Sequence, residues 1–325
     1  MTPPPVVLLP SLGRPGSDFD HLAGALGAAG HRAVALDPPI AVPGEPTLHD
    51  LADLVVREID RLDADRVHLV GHAFGNRLSR CVVADHPGRI ASLTLLAAGG
   101  LVHPQPDITA SLLACFDPAL PRDEHLHHVG RAFFAPGNDA SVWAEGWTAH
   151  IARYQSGAMG RTDRSEWWDA VAPRALVVQG LQDLIAVPEN GRRYVAEHPE
   201  ATLVEIDGAG HALLPERPDD VAAALVTFLA AVNHTGTSSM EVGIKVVAQE
   251  IRSQQQRHVN SCFFTMVAVD DERKPVPVPP LRPFTPDEKR RHASALARKE
   301  LRQEFARRAP PHVGAETAEH LPGHR

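Results

Sequence analysis

The sequence is poor in cysteine and lacks any long apolar run. Its 325 residues include three cysteines, Cys81, Cys115 and Cys262, which are odd in number and far apart. This usage indicates reduced thiols rather than a disulfide framework or a cysteine metal site. Because no run of about 18 apolar residues is present, we expect no membrane span. Residues 1–5 carry neither a basic region nor a long apolar run, so we expect no signal peptide and a cytoplasmic protein.

Lysine is absent from the first 234 residues, which carry 17 arginines against 29 aspartates and glutamates. The remaining residues contain all four lysines, with 15 basic against 11 acidic side chains. Such a change in composition indicates two joined segments. We therefore place domains at 1–234 and 235–308, and a disordered tail at 309–325. The formal net charge of −8 argues against nucleic acid as a partner.

Short apolar stretches alternate with amphipathic helical patterns in the first segment. The predicted buried strands are 6–9, 33–36, 66–70, 92–97, 175–179 and 202–206. Residues Leu48, Leu51, Val55 and Ile59 illustrate the helical spacing between strands. The alternation predicts an α/β domain with a mainly parallel sheet that helices cover on both faces. Residues 101–170 interrupt this rhythm with a helical insertion that contains all four tryptophans, and we interpret it as a lid.

A sharp turn is predicted between the strand 66–70 and a helix that starts at Phe74. The connecting sequence, Gly71-His72-Ala73-Phe74-Gly75, has the glycine spacing of a G-x-S-x-G nucleophile elbow. In that motif the glycines allow the turn and the central serine is held above the sheet. Here the central residue is Ala73, which has no nucleophilic group.

Two further loops follow predicted strands and carry residues suited to acid–base chemistry. Asp183 comes directly after the strand 175–179, and His211 follows the strand 202–206. Ligands bind at the carboxyl ends of strands in open α/β sheets, so these side chains are candidates for one site. A histidine can take a proton from a nucleophile and return it to the leaving group, while an aspartate fixes the imidazole tautomer.

The three motifs together resemble the α/β-hydrolase family over nearly all of residues 1–234. They are V-G-H-A-F-G at the elbow, V-V-Q-G-L-Q-D at the acid and D-G-A-G-H-A-L-L-P-E at the histidine. The resemblance implies an α/β-hydrolase fold with Asp183 as acid and His211 as base. It also implies an oxyanion hole built from the backbone N–H groups of Leu12 and Phe74. The family often carries His-Gly just before the first of these donors, where this chain has Pro10-Ser11.

The missing serine leaves several chemistries open. Ser11 lies in the loop opposite the elbow, so its hydroxyl is a candidate to approach His211 or to bind substrate. His211 could instead activate water directly, or act as acid and base in an elimination, decarboxylation or isomerisation. Loss of catalysis, with retention of binding, is a further alternative. Ala73 itself is compatible with a natural exchange and with a Ser→Ala substitution of the kind used to trap substrates.

Histidines cluster at His125, His127 and His128 on a predicted helix of the lid. No cysteine or carboxylate cluster accompanies them, so a solvated helix explains them better than a metal site. We expect no metal ion and no cofactor.

The second segment begins with an alternating strand over 237–248, followed by a second strand over 258–269 and a charged helix to about Arg308. It resembles the second half of a hotdog-fold acyl-CoA thioesterase of the cytosolic acyl-CoA hydrolase group. The resemblance rests on T-S-S-M-E-V, N-S-C-F-F-T-M-V-A-V-D-D and K-P-V-P-V-P-P-L. It implies a half-hotdog hairpin and helix over 236–308, without the half that carries the family's catalytic acid. The segment could be a remnant, a scaffold for acyl-CoA, or an arm that forms a homo-oligomer.

Together the two segments predict a hydrolase of small-molecule esters or thioesters, with acyl-CoA as one candidate substrate. The alternatives are an inactive binding or scaffold protein, and a non-hydrolytic enzyme that uses His211 as acid and base. Acyl-CoA is expected as a substrate because the second segment resembles acyl-CoA thioesterases, and no residue of a pocket supports this expectation.

Overall fold

The computed structural model of the protein describes residues 4–39, 43–170, 172–229, 231–249, 256–270, 272–281, 283 and 286–308. The chain divides into two compact units, of which the first ends at Leu229. The change in composition predicts the division five residues later, within a short strand that belongs to the sheet of the second unit. That strand is hard to recognise because Asn233-His234-Thr235-Gly236 has the polar, glycine-ended character of a linker. The predicted tail, 309–325, lies outside the described residues.

The first unit contains a six-stranded parallel sheet with the strand order β2-β1-β3-β4-β5-β6. Its strands are β1 Val6–Leu9, β2 Ala33–Ala35, β3 Val67–His72, β4 Ile90–Leu96, β5 Ala175–Gly180 and β6 Ala201–Ile206. The predicted α/β class and parallel sheet are confirmed.

Nine α-helices belong to the described part of the first unit. They are α1 Asp20–Ala28, α2 Leu48–Arg61, α3 Phe74–Asp85, α4 Pro106–Ala114, α5 Arg122–Phe133, α6 Ala149–Gly160, α7 Glu189–Glu197, α8 Leu213–Glu216 and α9 Pro218–Leu229. A capping box starts α2, because the side chains of Thr47 and Asp50 each accept a hydrogen bond from the other's backbone N–H.

The core lies on both faces of the sheet, as strand geometry requires. Successive side chains of a strand point to opposite faces, so Val7 and Leu9 pack on one side while Val6 and Leu8 pack on the other. The first face is covered by α2, α3 and α7, and the second by α1 and α9. Both layers hold the central strand β3 in place, and the predicted elbow follows directly from its carboxyl end.

Helices α4, α5 and α6 occupy the insertion between β4 and β5 that the sequence predicts as a lid. Apolar side chains of α4, of α5 and of the segment between α5 and α6 form a small separate core that includes Phe133 and Trp143, whereas Ala158 of α6 packs in the core on the first face of the sheet. Ala212, the neighbour of His211, also packs in this core. The insertion therefore covers the loop that carries the candidate base.

The second unit is a three-stranded antiparallel sheet with one long helix. Its described elements are β7 Ala231–Thr235, β8 Ser239–Gln249, β9 Gln256–Val267 and α10 Pro286–Arg308. The antiparallel hairpin and the helix agree with the predicted elements, and β7 is an addition. Glu241, only 2% exposed, accepts hydrogen bonds from Arg298 and Arg302 of the helix. Among the described helices of both units, none combines the length and apolar character that crossing a bilayer requires.

Candidate active site

The turn between β3 and α3 has the geometry of an elbow. Ala73, at its tip, has φ 52° and ψ −104°, a conformation that residues with a Cβ rarely adopt. A Cβ on Gly71 would lie 2.2 Å from the carbonyl oxygen of Gly75. A Cβ on Gly75 would lie 2.1 Å from the carbonyl oxygen of Leu9 in β1. The two glycines are therefore required for the turn to pack against the sheet, whatever residue occupies position 73.

Asp183 and His211 meet although their loops follow different strands. His211 Nδ1 lies 2.9 Å from Asp183 Oδ2 and 3.1 Å from Oδ1, and the two residues are 3% and 1% exposed. A carboxylate only accepts, so Nδ1 carries the proton and Nε2 keeps its lone pair. Nε2 has no hydrogen-bond partner among the described residues. This is the tautomer of a general base.

The carboxylate of Asp183 is itself held in place by three further donors. Oδ1 accepts from the backbone N–H groups of Ile185, at 2.9 Å, and Ala186, at 2.8 Å. Oδ2 accepts from Gln179 Nε2 at 3.2 Å. These hydrogen bonds fix the orientation of the carboxylate beside the imidazole.

His72 forms a hydrogen bond with the loop that carries His211, the candidate base. It is fully buried, and Nε2 donates to the backbone carbonyl of His211 at 2.8 Å. Burial, together with the nearby His211 and Arg14, lowers the pKa of His72 to about 3. His72 therefore stays neutral and keeps the proton on Nε2. This role was not predicted from the sequence, although His72 lies within the elbow motif itself.

Glu216 also fixes the loop that carries His211. Oε2 accepts from the N–H of Gly210 at 2.7 Å, and Oε1 accepts from the N–H of Ala135 at 2.6 Å and from Asn138 Nδ2 at 2.7 Å. It thus joins the histidine loop to the insertion. Burial raises the pKa of the Glu216 carboxyl. In the sequence, the role of Glu216 is indicated only by its position in the motif that contains His211.

The backbone N–H groups of Leu12 and Phe74, both near the elbow, have no internal acceptor among the described residues. Phe74 is the first residue of α3, so its N–H lacks a partner within the helix and lies at the positive end of the helix dipole. Leu12 lies in the turn after β1. Arg14 anchors that turn, because it donates to Asp18 and to the carbonyl of Glu145 in the insertion. Both N–H groups therefore remain candidates for an oxyanion hole.

Ser11 is buried, and its carbonyl accepts from the N–H of Arg14 within the turn. No hydrogen bond joins the Ser11 hydroxyl to His211 in this structure, where both residues are described. Its role in binding substrate stays a prediction.

The histidines of the insertion do not assemble into a site. His125 Nε2 pairs with the carbonyl of Cys115 at 3.1 Å, and His128 Nδ1 pairs with Ser111 Oγ at 3.2 Å. Among the described residues, the grouping with metal-ligand spacing lies elsewhere, at His49, Cys81 and Asp85.

Comparison with known proteins shows the family of the chain. The chain belongs to the alpha/beta hydrolase family, whose model matches residues 6–224. A hydrolase from Pseudomonas aeruginosa PA01 has a similar structure, with a TM-score of 0.60 and 22% sequence identity. The match covers 70% of this chain and 90% of that one, and at this identity it shows the fold alone.

Curated relatives match different shares of the chain. The putative carbamate hydrolase RutD of Variovorax paradoxus is 26% identical over 257 residues, 71% of this chain and 93% of its own length. Protein VdlD of Helicobacter pylori is 47% identical over 90 residues, 28% of this chain and 51% of its own length. The acetyl-coenzyme A thioesterase of Mus musculus is 42% identical over 88 residues, 26% of this chain and 16% of its own length.

The chain thus spans about half the length of VdlD and a smaller share of the thioesterase. The thioesterase match is compatible with the predicted thioesterase-like segment.

Proposed function

We propose that the chain hydrolyses ester or thioester bonds of small molecules by activating water with His211 and Asp183. The observation that carries the proposal is the buried Asp183–His211 pair, with a lone pair on His211 Nε2, in a family fold whose elbow holds Ala73 instead of a nucleophile. A general base that acts on water needs no hydroxyl at position 73.

In the proposed reaction, His211 Nε2 removes a proton from water as the water oxygen bonds to the substrate carbonyl carbon. The carbonyl oxygen gains the negative charge, and the N–H groups of Leu12 and Phe74 stabilise it. The carbon–heteroatom bond then breaks, and the imidazolium returns its proton to the leaving alcohol or thiol. Asp183 stabilises the imidazolium during both steps.

The expected rate of hydrolysis follows from the contributions to catalysis that need no serine at position 73. Removal of a triad member typically leaves about 10³–10⁴-fold acceleration over water, from binding and the oxyanion hole. General-base assistance by a placed histidine contributes about 10²–10⁴-fold where it operates. We therefore expect slow turnover that depends on His211.

The substrate class is proposed from the relatives. The thioesterase of Mus musculus supports acyl-CoA thioesters, and the name of RutD adds carbamates to the compounds worth testing. Acyl-CoA also suits a cytoplasmic protein, which remains our proposal for its location. A homo-oligomer formed through the second unit likewise remains a prediction.

A panel of esters, acyl-CoA thioesters and carbamates tests the proposal on wild type, Ala73→Ser, His211→Ala and Asp183→Asn. His21→Ala is a matched control, because His21 is an exposed histidine that pairs with Asp219. We expect wild-type turnover that His211→Ala abolishes and His21→Ala leaves unchanged. Turnover that appears only in Ala73→Ser contradicts native hydrolysis.

A second candidate is a binding protein that has lost its chemistry, and Ala73 is the observation that favours it. This candidate predicts no turnover in any variant, together with tight binding of one member of the panel by wild type.

A further inference from the structure

A second cluster of reactive side chains lies on the far part of the elbow helix, outside the Asp183–His211 site. His49, in the first turn of α2, faces Cys81 and Asp85 of α3. His49 Nδ1 lies 3.4 Å from Cys81 Sγ and 2.8 Å from Asp85 Oδ2. Cys81 Sγ lies 3.7 Å from Asp85 Oδ2. One nitrogen, one sulfur and one carboxylate oxygen therefore face a common point.

These separations match the edges of a coordination tetrahedron. With zinc–ligand bonds of about 2.0–2.3 Å, neighbouring ligand atoms lie about 3.3–3.6 Å apart. The sulfur–nitrogen and sulfur–oxygen separations are already close to that range, and the nitrogen–oxygen pair needs to widen by only a few tenths of an ångström. Asp85 and His49 are partly exposed, so a metal ion can reach the cluster.

Glu166 supplies the support that a metal-bound histidine usually has. Its Oε2 lies 3.1 Å from His49 Nε2, on the side of the ring opposite Cys81 and Asp85. Nδ1 faces the Asp85 carboxylate and the thiol, and when a metal ion replaces the proton on Nδ1, Glu166 keeps the remaining proton on Nε2. Metal-binding histidines commonly donate their other N–H to a carboxylate in this way, and that bond orients the ring.

We propose that His49 Nδ1, Cys81 Sγ and a carboxylate oxygen of Asp85 bind one zinc ion, with Glu166 orienting His49. A mixed nitrogen, sulfur and oxygen donor set suits zinc, and three protein ligands leave the fourth position to water. A neutral imidazole, a thiolate and a carboxylate neutralise the two positive charges of the ion.

Proton release accompanies binding, because the ligands hold protons in the metal-free protein. Burial, then the negative charge of Asp85, raises the pKa of the Cys81 thiol, and Glu166 and Asp53 add to the effect. The hydrogen bond with Asp85 raises the pKa of His49. Binding of zinc to Cys81 Sγ and His49 Nδ1 displaces the protons that these atoms carry.

The bound ion would link three parts of the first unit: the start of α2, the elbow helix α3 and the turn at residues 164–166. The sequence gives no motif for this site, because His49 and Cys81 are 32 positions apart and meet only through the packing of α2 on α3. An ion here would stabilise the folded chain, since binding to the folded state alone raises the free energy of unfolding.

Cobalt(II) is the probe, because a cobalt–thiolate bond gives an intense charge-transfer band in the near ultraviolet. The full chain is stripped with a chelator and titrated with cobalt, and zinc is then added to displace it. We expect one cobalt per chain, the thiolate band, its loss on addition of zinc, and a zinc-dependent rise in Tm. Absence of the band in wild type overturns the proposal.

Matched variants assign the band to Cys81. The double variant Cys115→Ala/Cys262→Ala removes the other two thiols and should keep the band, whereas Cys81→Ala should lose it. His49→Ala, at a partly exposed position, keeps the buried sulfur and should weaken zinc binding by more than about tenfold. A band that persists in Cys81→Ala, or binding that His49→Ala leaves unchanged, contradicts the site.

The role of Glu166 has its own test. Glu166→Gln should weaken zinc binding about 10–100-fold while the cobalt–thiolate band remains, because the ligands themselves are intact. An unchanged affinity contradicts the orienting role. The metal-free Tm of each variant, compared with that of metal-free wild type, separates a binding defect from a folding defect.

Discussion

His72 donates a hydrogen bond from Nε2 to the backbone carbonyl oxygen of His211 across 2.8 Å, although 139 positions separate the two residues. The residue next to the elbow tip thus holds the loop of the candidate base. This hydrogen bond joins the elbow to the loop of the candidate base, so a substitution in the elbow should displace His211.

His72→Phe should destabilise the fold and impair the reaction. It leaves the buried carbonyl of His211 without a donor, which costs about 1–3 kcal/mol in the free energy of unfolding. The rate constant kcat should fall more than KM rises, because the base is displaced while the binding surface remains. Urea unfolding and steady-state kinetics measure both effects. His72→Gln retains a donor and should lose less, and equal losses in the two variants would argue against the hydrogen bond.

The buried His72 and the partly buried His68 should make the free energy of unfolding decrease in mild acid. Burial lowers the pKa of His72 to about 3 and that of His68 to about 4, against 6.5 for the free side chain. Between pH 6.5 and 4 the unfolded chain therefore binds more protons than the folded chain, so stability falls as pH falls. We expect a loss of about 1 kcal/mol per pH unit for each histidine.

Unfolding by urea at several pH values across that window measures this slope. His68→Gln and His72→Gln should each make it shallower. A slope that neither substitution changes contradicts the assignment.

Gly71→Ala should prevent the elbow from forming. The added Cβ meets the carbonyl oxygen of Gly75 at 2.2 Å, and backbone cannot move aside as a flexible side chain can. We expect a loss of about 3 kcal/mol or more in the free energy of unfolding. Gly27→Ala is the matched control, because a Cβ there meets no atom within 4 Å. In helix α1 that alanine should stabilise by about 0.5–1 kcal/mol. Similar effects at both glycines would contradict the close approach.

Glu216→Ala should loosen the histidine loop. It leaves the N–H groups of Gly210 and Ala135 without their acceptor, at a cost of about 1–3 kcal/mol, whereas the Asn138 amide keeps the carbonyl of Gly208 as an acceptor. Hydrogen exchange should quicken at Gly210 and at Ala135 together. Glu216→Gln keeps one acceptor oxygen and should show a smaller change. If hydrogen exchange quickens only at residues far from the histidine loop, the Glu216 carboxylate does not hold that loop.

The sequence was most informative where function depends on neighbours in the chain. Gly71 and Gly75 flank one turn, and Asp183 and His211 lie in loops that follow strands, so the strand pattern placed them at one edge of the sheet and the resemblance to the α/β-hydrolase family implied their roles. The parallel sheet followed from the alternation of strands and helices.

What the sequence did not show depends on contacts between distant elements. His72 and Glu216 matter because of backbone groups that only the folded chain brings to them. His49 and Cys81 meet because two helices pack against each other. The strand β7 has the composition of a linker and forms by pairing with β8, so the sequence predicted a boundary between segments there and no strand.

The most direct test of the central claim is the dependence of wild-type hydrolysis on His211. Purified wild type, His211→Ala and His21→Ala are compared on the ester, thioester and carbamate panel, with kcat/KM as the readout. If water is activated by the Asp183–His211 pair, kcat/KM falls about 10²–10⁴-fold in His211→Ala and is unchanged in His21→Ala. Wild-type turnover that survives His211→Ala, or no turnover by wild type on any compound, contradicts the account.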